Sequence, residues 1–233
     1  TWTFHLRSGV RFHDGTPFDA EAVKANIERS KTLPESRRKS EVKSIKGVEV
    51  SGPLQVKISL ASPDATLLAQ FADRAGMMVS PTAAEAAGAD FGNNPVCSGP
   101  FKFVERVQQD RIVLSKFDGY WNKDAINFDT VTFLPIPDTT VRLANLRSGD
   151  IDMLERLAAT DVASVKGDAN LGFAEAVSLG YQGITVNLNN GEKGDNPFGN
   201  DPKIRQAFSL SLDRDAINQV VFEGAFAPGN QPF

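Results

Sequence analysis

One cysteine, two histidines and no apolar run of membrane length are the scarcities of this 233-residue sequence. A lone Cys97 has no internal disulfide partner, which excludes a small disulfide-built secreted fold and fits an exported bacterial protein and a cytosolic one equally. His5 and His13 are too few, and wrongly spaced, for a zinc-type centre, which takes several close ligands or a helical i, i+4 pair. No metal and no cofactor are therefore expected. A membrane-crossing helix needs ~20 consecutive apolar residues, and none is present. Positive charge is also short: the formal charge is −4 and the pI near 5.3. Binding to phosphate backbones needs a concentrated basic surface, so nucleic acid is not an expected partner. The exception is the cluster Lys31, Arg37, Arg38, Lys39, Lys43 and Lys46, read as a solvated connection between a helix and a strand. An initiator Met, a basic n-region and an apolar h-region are lacking, so a targeting signal is either absent or removed.

What is present is a chain with 41% hydrophobic and 23% charged residues, enough apolar material for a sizeable core. Trp2, Phe4 and Leu6 alternate with polar residues, and Val10 and Phe12 resume the alternation after Ser8-Gly9, which predicts a hairpin over Thr1–Phe12. Asp14-Gly15 is a turn signal. Asp19 stands at an N-cap position before a helix over Ala20–Ser30 carrying Val23 and Ile27 on one face. A second hairpin spans Val48–Leu60 around Ser51-Gly52-Pro53, and a third spans Phe101–Phe117 around Gln109-Asp110. Ser62-Pro63-Asp64 predicts a helix start, and Thr82 to Glu85 fits a capping box. Short strands are expected over Met77–Val79, Val131–Ile136, Ile151–Leu154 and Ile184–Leu188. Helices follow Asp138, Thr160, Asp201-Pro202 and Asp213, the first of them closed by Gly149. Helices and strands interspersed with many hairpins place the chain in the α/β class with mixed α+β sheets rather than in a purely doubly wound fold.

The pairing of histidine with aspartate in FHDG invites a hydrolase reading built on His13, Asp14 and Cys97. Turn chemistry is the stronger reading, because Asp-Gly punctuates the passage from strand to helix and nothing in the sequence lowers the thiol pKa. Cys97 is read as a buried inert thiol, Tyr120 and Trp121 as a structural cover, and Met77 and Met78 as core.

The order of the pieces resembles the family 5 extracytoplasmic solute-binding proteins of ABC importers. TWTFHLRSGVRFHDGTPFDAEAVKAN is similar to the opening signature of that family. NPVCSGPFKFVERV, DGYWN and FDTVTFLPIPDTTVRLANLRSGDID are similar to its middle block, and NDPKIRQAFSLSLDRDAINQVVFEGAFAPGNQPF to the segment that enters a second lobe. One departure is Cys97-Ser98-Gly99-Pro100, where relatives usually carry Gly-Thr-Gly-Pro; a side chain at Cys97 then stands where glycine left φ free.

The resemblance implies a periplasmic binding protein type II-like fold of which this chain is an internal fragment, with the first lobe largely present and the second mostly missing. In those terms residues 1–100 are an extra subdomain of the first lobe, residues 101–200 its sheet and helices leading to the hinge, and residues 201–233 the start of the second lobe. It implies no enzyme and no catalytic residue. The implied function is capture of peptides or similar small solutes between two lobes and delivery to an ABC transporter permease in the membrane. The implied location is periplasmic or extracytoplasmic, with a lipid anchor left open, and the full-length form is expected to be monomeric. Ligand-binding candidates are Asn187 and Asn189, on the segment leading to the hinge, with Arg74 and Arg38 as carboxylate partners. A turn role for the asparagines and a surface role for the arginines are the alternatives. The same fold also serves as the ligand-sensing domain of cytoplasmic transcription regulators, the second functional reading.

Overall fold

The computed structural model describes residues 1–176 and 180–229. They form two compact units, Thr1–Pro135 and Ile136–Phe233.

In the first unit the alternating segments pair over long range. Strand β1 (Trp2–His5) runs antiparallel to β3 (Gln55–Leu60), which also pairs with β2 (Ile45–Gly52), giving the order β1-β3-β2. The register lines up Trp2, Ile58 and Val48 in one row across the sheet, and Phe4, Val56 and Val50 in another. Side chains two apart share a face, so this register gathers one apolar surface. Helix α1 (Ala20–Thr32) covers it with Ala20, Val23 and Ile27, all buried. Asp19 caps α1 by accepting a hydrogen bond from the Ala22 N–H at 2.9 Å. Val42, Ile45, Leu67 and Ala75 close the core.

The hairpin expected over Thr1–Phe12 is not formed. Val10 and Arg11 leave the sheet, with Arg11 bridging Pro17 instead. The alternation of Trp2, Phe4 and Leu6 marks a face but not a partner, and the longer apolar rows of β3 out-compete the nearby segment. Helix α2 (Leu67–Ala72) begins later than Ser62-Pro63-Asp64 indicates, because Asp64 accepts from the Thr66 N–H and hydroxyl in a local turn that competes with helix. Helix α3 (Pro81–Ala87) is capped by Ser80 rather than Thr82, with Pro81 at the first turn. Met78 packs on the core but Met77 is exposed, a correction to the core reading of both.

The second sheet, β4 (Phe101–Val107), β5 (Arg111–Lys116) and β6 (Thr130–Phe133), is an antiparallel meander in sequence order. Its first turn places Gln109 at φ 61°.

In the second unit, α4 (Thr139–Ser148) is capped by Asp138 and closed by Gly149 at φ 82°, a left-handed conformation that glycine takes without penalty. Helix α5 (Val162–Lys166) follows, then α6 (Pro197–Asn200), α7 (Pro202–Ser211) and α8 (Arg214–Phe222), with Asn196, Asp201 and Asp213 accepting from backbone N–H groups at their starts. The strands expected over Ile151–Leu154 and Ile184–Leu188 are not formed. A strand needs a neighbour for its N–H and C=O groups, and among the described residues neither segment has one.

Candidate functional site

FHDG is resolved as a knot of backbone turns. Phe12 is fully buried and its ring lies 5.5 Å from that of Phe18. Gly15, at φ 83°, closes the turn with its N–H on the Phe12 carbonyl. The His13 ring reaches the loop at Cys97–Gly99: Nδ1 faces the Cys97 N–H at 3.4 Å and Nε2 faces the Gly99 carbonyl at 3.0 Å. That pattern requires a neutral ring with its proton on Nε2. The ring edge also packs against Phe117 at 4.9 Å. Asp14 accepts from the Thr16 N–H at 2.9 Å, the Thr16 hydroxyl at 2.6 Å and the buried Ser80 hydroxyl at 2.5 Å. Both polar groups are thus engaged in joining the turn to α3 and to the loop before β4.

Partial burial acts to raise the Asp14 carboxyl, but the hydrogen bonds from Ser80 and Thr16 outweigh it and hold the group below its ordinary value of 3.8. A carboxyl depressed in the folded state binds fewer protons than in the unfolded chain, so its stabilisation is present above 3.8 and is lost as pH falls through the folded value. We expect urea-unfolding midpoints of the parent chain to fall more steeply below that pH than those of Asp14→Asn. Parallel acid limbs would contradict the assignment.

Cys97 is half-buried and burial pushes its thiol up, away from the thiolate needed of a nucleophile. Its φ is not positive, so the departure from glycine leaves no backbone strain there. Trp121 is half-exposed, with the Arg7 guanidinium 3.8 Å above one face of its ring and Tyr120 beside it. Among the described residues no group of three or more His, Cys, Asp or Glu is placed to hold a metal ion, and no helix is long and apolar enough to cross a membrane.

The candidate ligand residues fall in both units. Arg38 lies in the turns after α1 and pairs with Glu41. Arg74 opens a single 3-10 turn, with a largely exposed side chain 3.8 Å from Asp73. Asn189 is exposed at φ 53°, a left-handed position that asparagine tolerates. Asn187 lines an open cavity, of about 280 Å³, with Ile184, Thr185, Val186, Asn196, Phe198 and Phe208. Phe198 and Phe208 meet edge to face at 5.4 Å and form its apolar wall. Sequence reading missed that wall. Its signal is Asn196-Pro197-Phe198, where a capping asparagine and a first-turn proline fix the start of α6 and so the position of Phe198.

Helices interspersed with small antiparallel sheets in this order are the fold of type II periplasmic binding proteins. The structure matches NikZ from Campylobacter jejuni in complex with Ni(L-His), at a TM-score of 0.86 and 26% identity, over 99% of this chain and 45% of that one. It matches AgaA from A. tumefacien R10, in complex with agropinic acid, at a TM-score of 0.78 and 27% identity, over 95% and 44%. In sequence it is 34% identical to the glutathione-binding protein GsiB of Salmonella paratyphi A over 230 residues, 98% of this chain and 44% of the relative. The description "bacterial extracellular solute-binding proteins, family 5 middle" matches residues 1–233. The chain belongs to that family, and it spans less than half the length of the relatives it matches.

Proposed function

We propose that residues 1–233 are part of the solute-binding component of an ABC importer, which captures peptides or similar small polar solutes outside the cytoplasm and hands them to a membrane permease. The observation that carries this reading is the family match along the whole chain, joined to a fold shared with binders of a nickel–histidine complex and of agropinic acid. The component makes and breaks no bond. Solute contacts both lobes, the closed state alone gains all of those contacts, and closure is what the permease recognises. In this reading residues 1–100 and 101–200 belong to the first lobe and residues 201–233 begin the second.

Asn187 is the side chain we assign to the solute. An amide both donates and accepts, which suits peptide-like groups, and the cavity it lines has an aromatic wall for the apolar part of a ligand. Asn189, Arg74 and Arg38 are assigned more weakly, each having a turn or an ion pair that already accounts for it.

A thermal-shift screen of the longer protein against peptides, glutathione and metal–amino acid chelates tests the proposal. One of these classes is expected to raise the melting temperature, and Asn187→Ala to weaken that solute roughly two- to tenfold, since a neutral amide hydrogen bond is worth ~0.5–1.5 kcal/mol net. No stabilisation by any class would sink the importer reading. Full affinity in the variant would remove Asn187 from the site.

A further inference from the structure

The basic residues between α1 and β2 are unevenly placed for an acidic chain. Residues 31–46 hold six basic residues, Lys31, Arg37, Arg38, Lys39, Lys43 and Lys46, against Glu35 and Glu41. That segment carries a formal +4, so with the chain at −4 the remaining residues carry −8. The fold keeps the charges together. The segment leaves the end of α1, makes successive turns over residues 34–44 and enters β2, an outer strand of the first sheet. The Lys31 ammonium reaches the Lys46 carbonyl at 3.4 Å, joining the two ends of the segment, and the Lys39 ammonium reaches the Pro34 carbonyl at 3.1 Å within it. Of the two acids, Glu41 is taken by Arg38, and Glu35 is left to offset the others.

The apolar residues of the segment point inward: Val42 and Ile45 are buried in the core and Leu33 is half-buried. What remains outside is charge without an aromatic anchor. Protein interfaces concentrate their affinity in such anchors seated in pockets. An array of flexible cations with nothing to insert suits an extended anionic surface, where each Lys or Arg adds attraction within a Debye length. Edge-strand lysines also discourage strand pairing, but Lys46 alone lies on β2.

We propose that residues 31–46 form an electrostatic docking surface for anionic phospholipid headgroups, holding this unit against the membrane that carries the permease. This takes from the proposed function only its location beside a membrane. Vesicle binding is measured without solute, so failure here and failure of the solute screen are separate results.

The test is sedimentation of the 233-residue chain with phosphatidylcholine vesicles that contain or lack phosphatidylglycerol. Partitioning onto the anionic vesicles is expected to be at least about tenfold stronger at low salt and to vanish near 1 M salt, where the Debye length falls to about 3 Å. The triple variant Arg37→Glu, Lys39→Glu, Lys43→Glu is expected to lose this binding. Lys102→Glu, Lys123→Glu, Lys203→Glu, with the same change in net charge, is expected to retain most of it. Equal loss in both variants would show that net charge, not this surface, is responsible, and would overturn the proposal. So would absence of vesicle binding, or binding to polyglutamate in its place, which would make the partner an acidic protein.

Discussion

Phe12→Ala is expected to lower the unfolding free energy of the chain by about 3–5 kcal/mol, the usual cost of removing a buried phenyl ring. Phe12 has no exposed surface, packs on Phe18 and closes the FHDG turn with both its backbone groups, accepting from Gly15 and donating to Thr16. Natural domains are stable by roughly 5–15 kcal/mol, so this one truncation removes a large share. The loss should spread beyond the ring. His13 and Asp14 hold the loop before β4 and the start of α3, and both depend on the turn that Phe12 anchors. Urea unfolding followed by circular dichroism checks the magnitude. A cost under about 1 kcal/mol, the usual range for an exposed site, would contradict the burial.

Asn26→Leu is expected to be comparably severe although it adds apolar surface to a buried face. The Asn26 amide donates to the Val79 carbonyl at 2.8 Å and accepts from the Val79 N–H at 2.9 Å, serving as the strand neighbour that residue 79 otherwise lacks on that side. Its second N–H bonds the Ala22 carbonyl at 2.8 Å. Leucine fills the volume but leaves the two Val79 groups without their side-chain partner, at about 1–3 kcal/mol for each group that finds no other. Hydrogen exchange at Val79 should quicken ahead of global unfolding, because that bond pair is the local tie between the segment before α3 and helix α1. Unchanged exchange at Val79 would mean that the amide is not the tie. Asn218 repeats the arrangement in the second unit, bonding both the N–H and the carbonyl of Phe226.

Features set by neighbouring residues were legible. Asp19, Asp138, Asp201 and Asp213 each cap a helix where the sequence places one, because a capping carboxylate and its N–H partner lie within one turn. Gly149 ends α4, and the hairpins around Gly52 and Gln109 form as read. Features set by distant residues were not. The partner of β1 lies some fifty positions away in β3, and alternation cannot choose between that strand and the nearer Val10–Phe12. The same holds for Asn26, a polar residue on an otherwise apolar helix face whose purpose appears only when Val79 comes beside it. Of the candidate site, Asn187 followed from the resemblance to a family, whereas Phe198 and Phe208 entered only when chain packing put them across the cavity. Arg74 too came from the resemblance, with Arg38 as a weaker candidate of the same kind; in the fold each lies beside a local acid, Asp73 and Glu41 respectively.

In the proposed function the solute is gripped only when two lobes close on it. Small-angle X-ray scattering of the longer protein, with and without the solute that stabilises it, examines this most directly. A smaller radius of gyration at saturating solute is the expected result, since closure brings two lobes together around the ligand. Identical scattering profiles at full occupancy would contradict it.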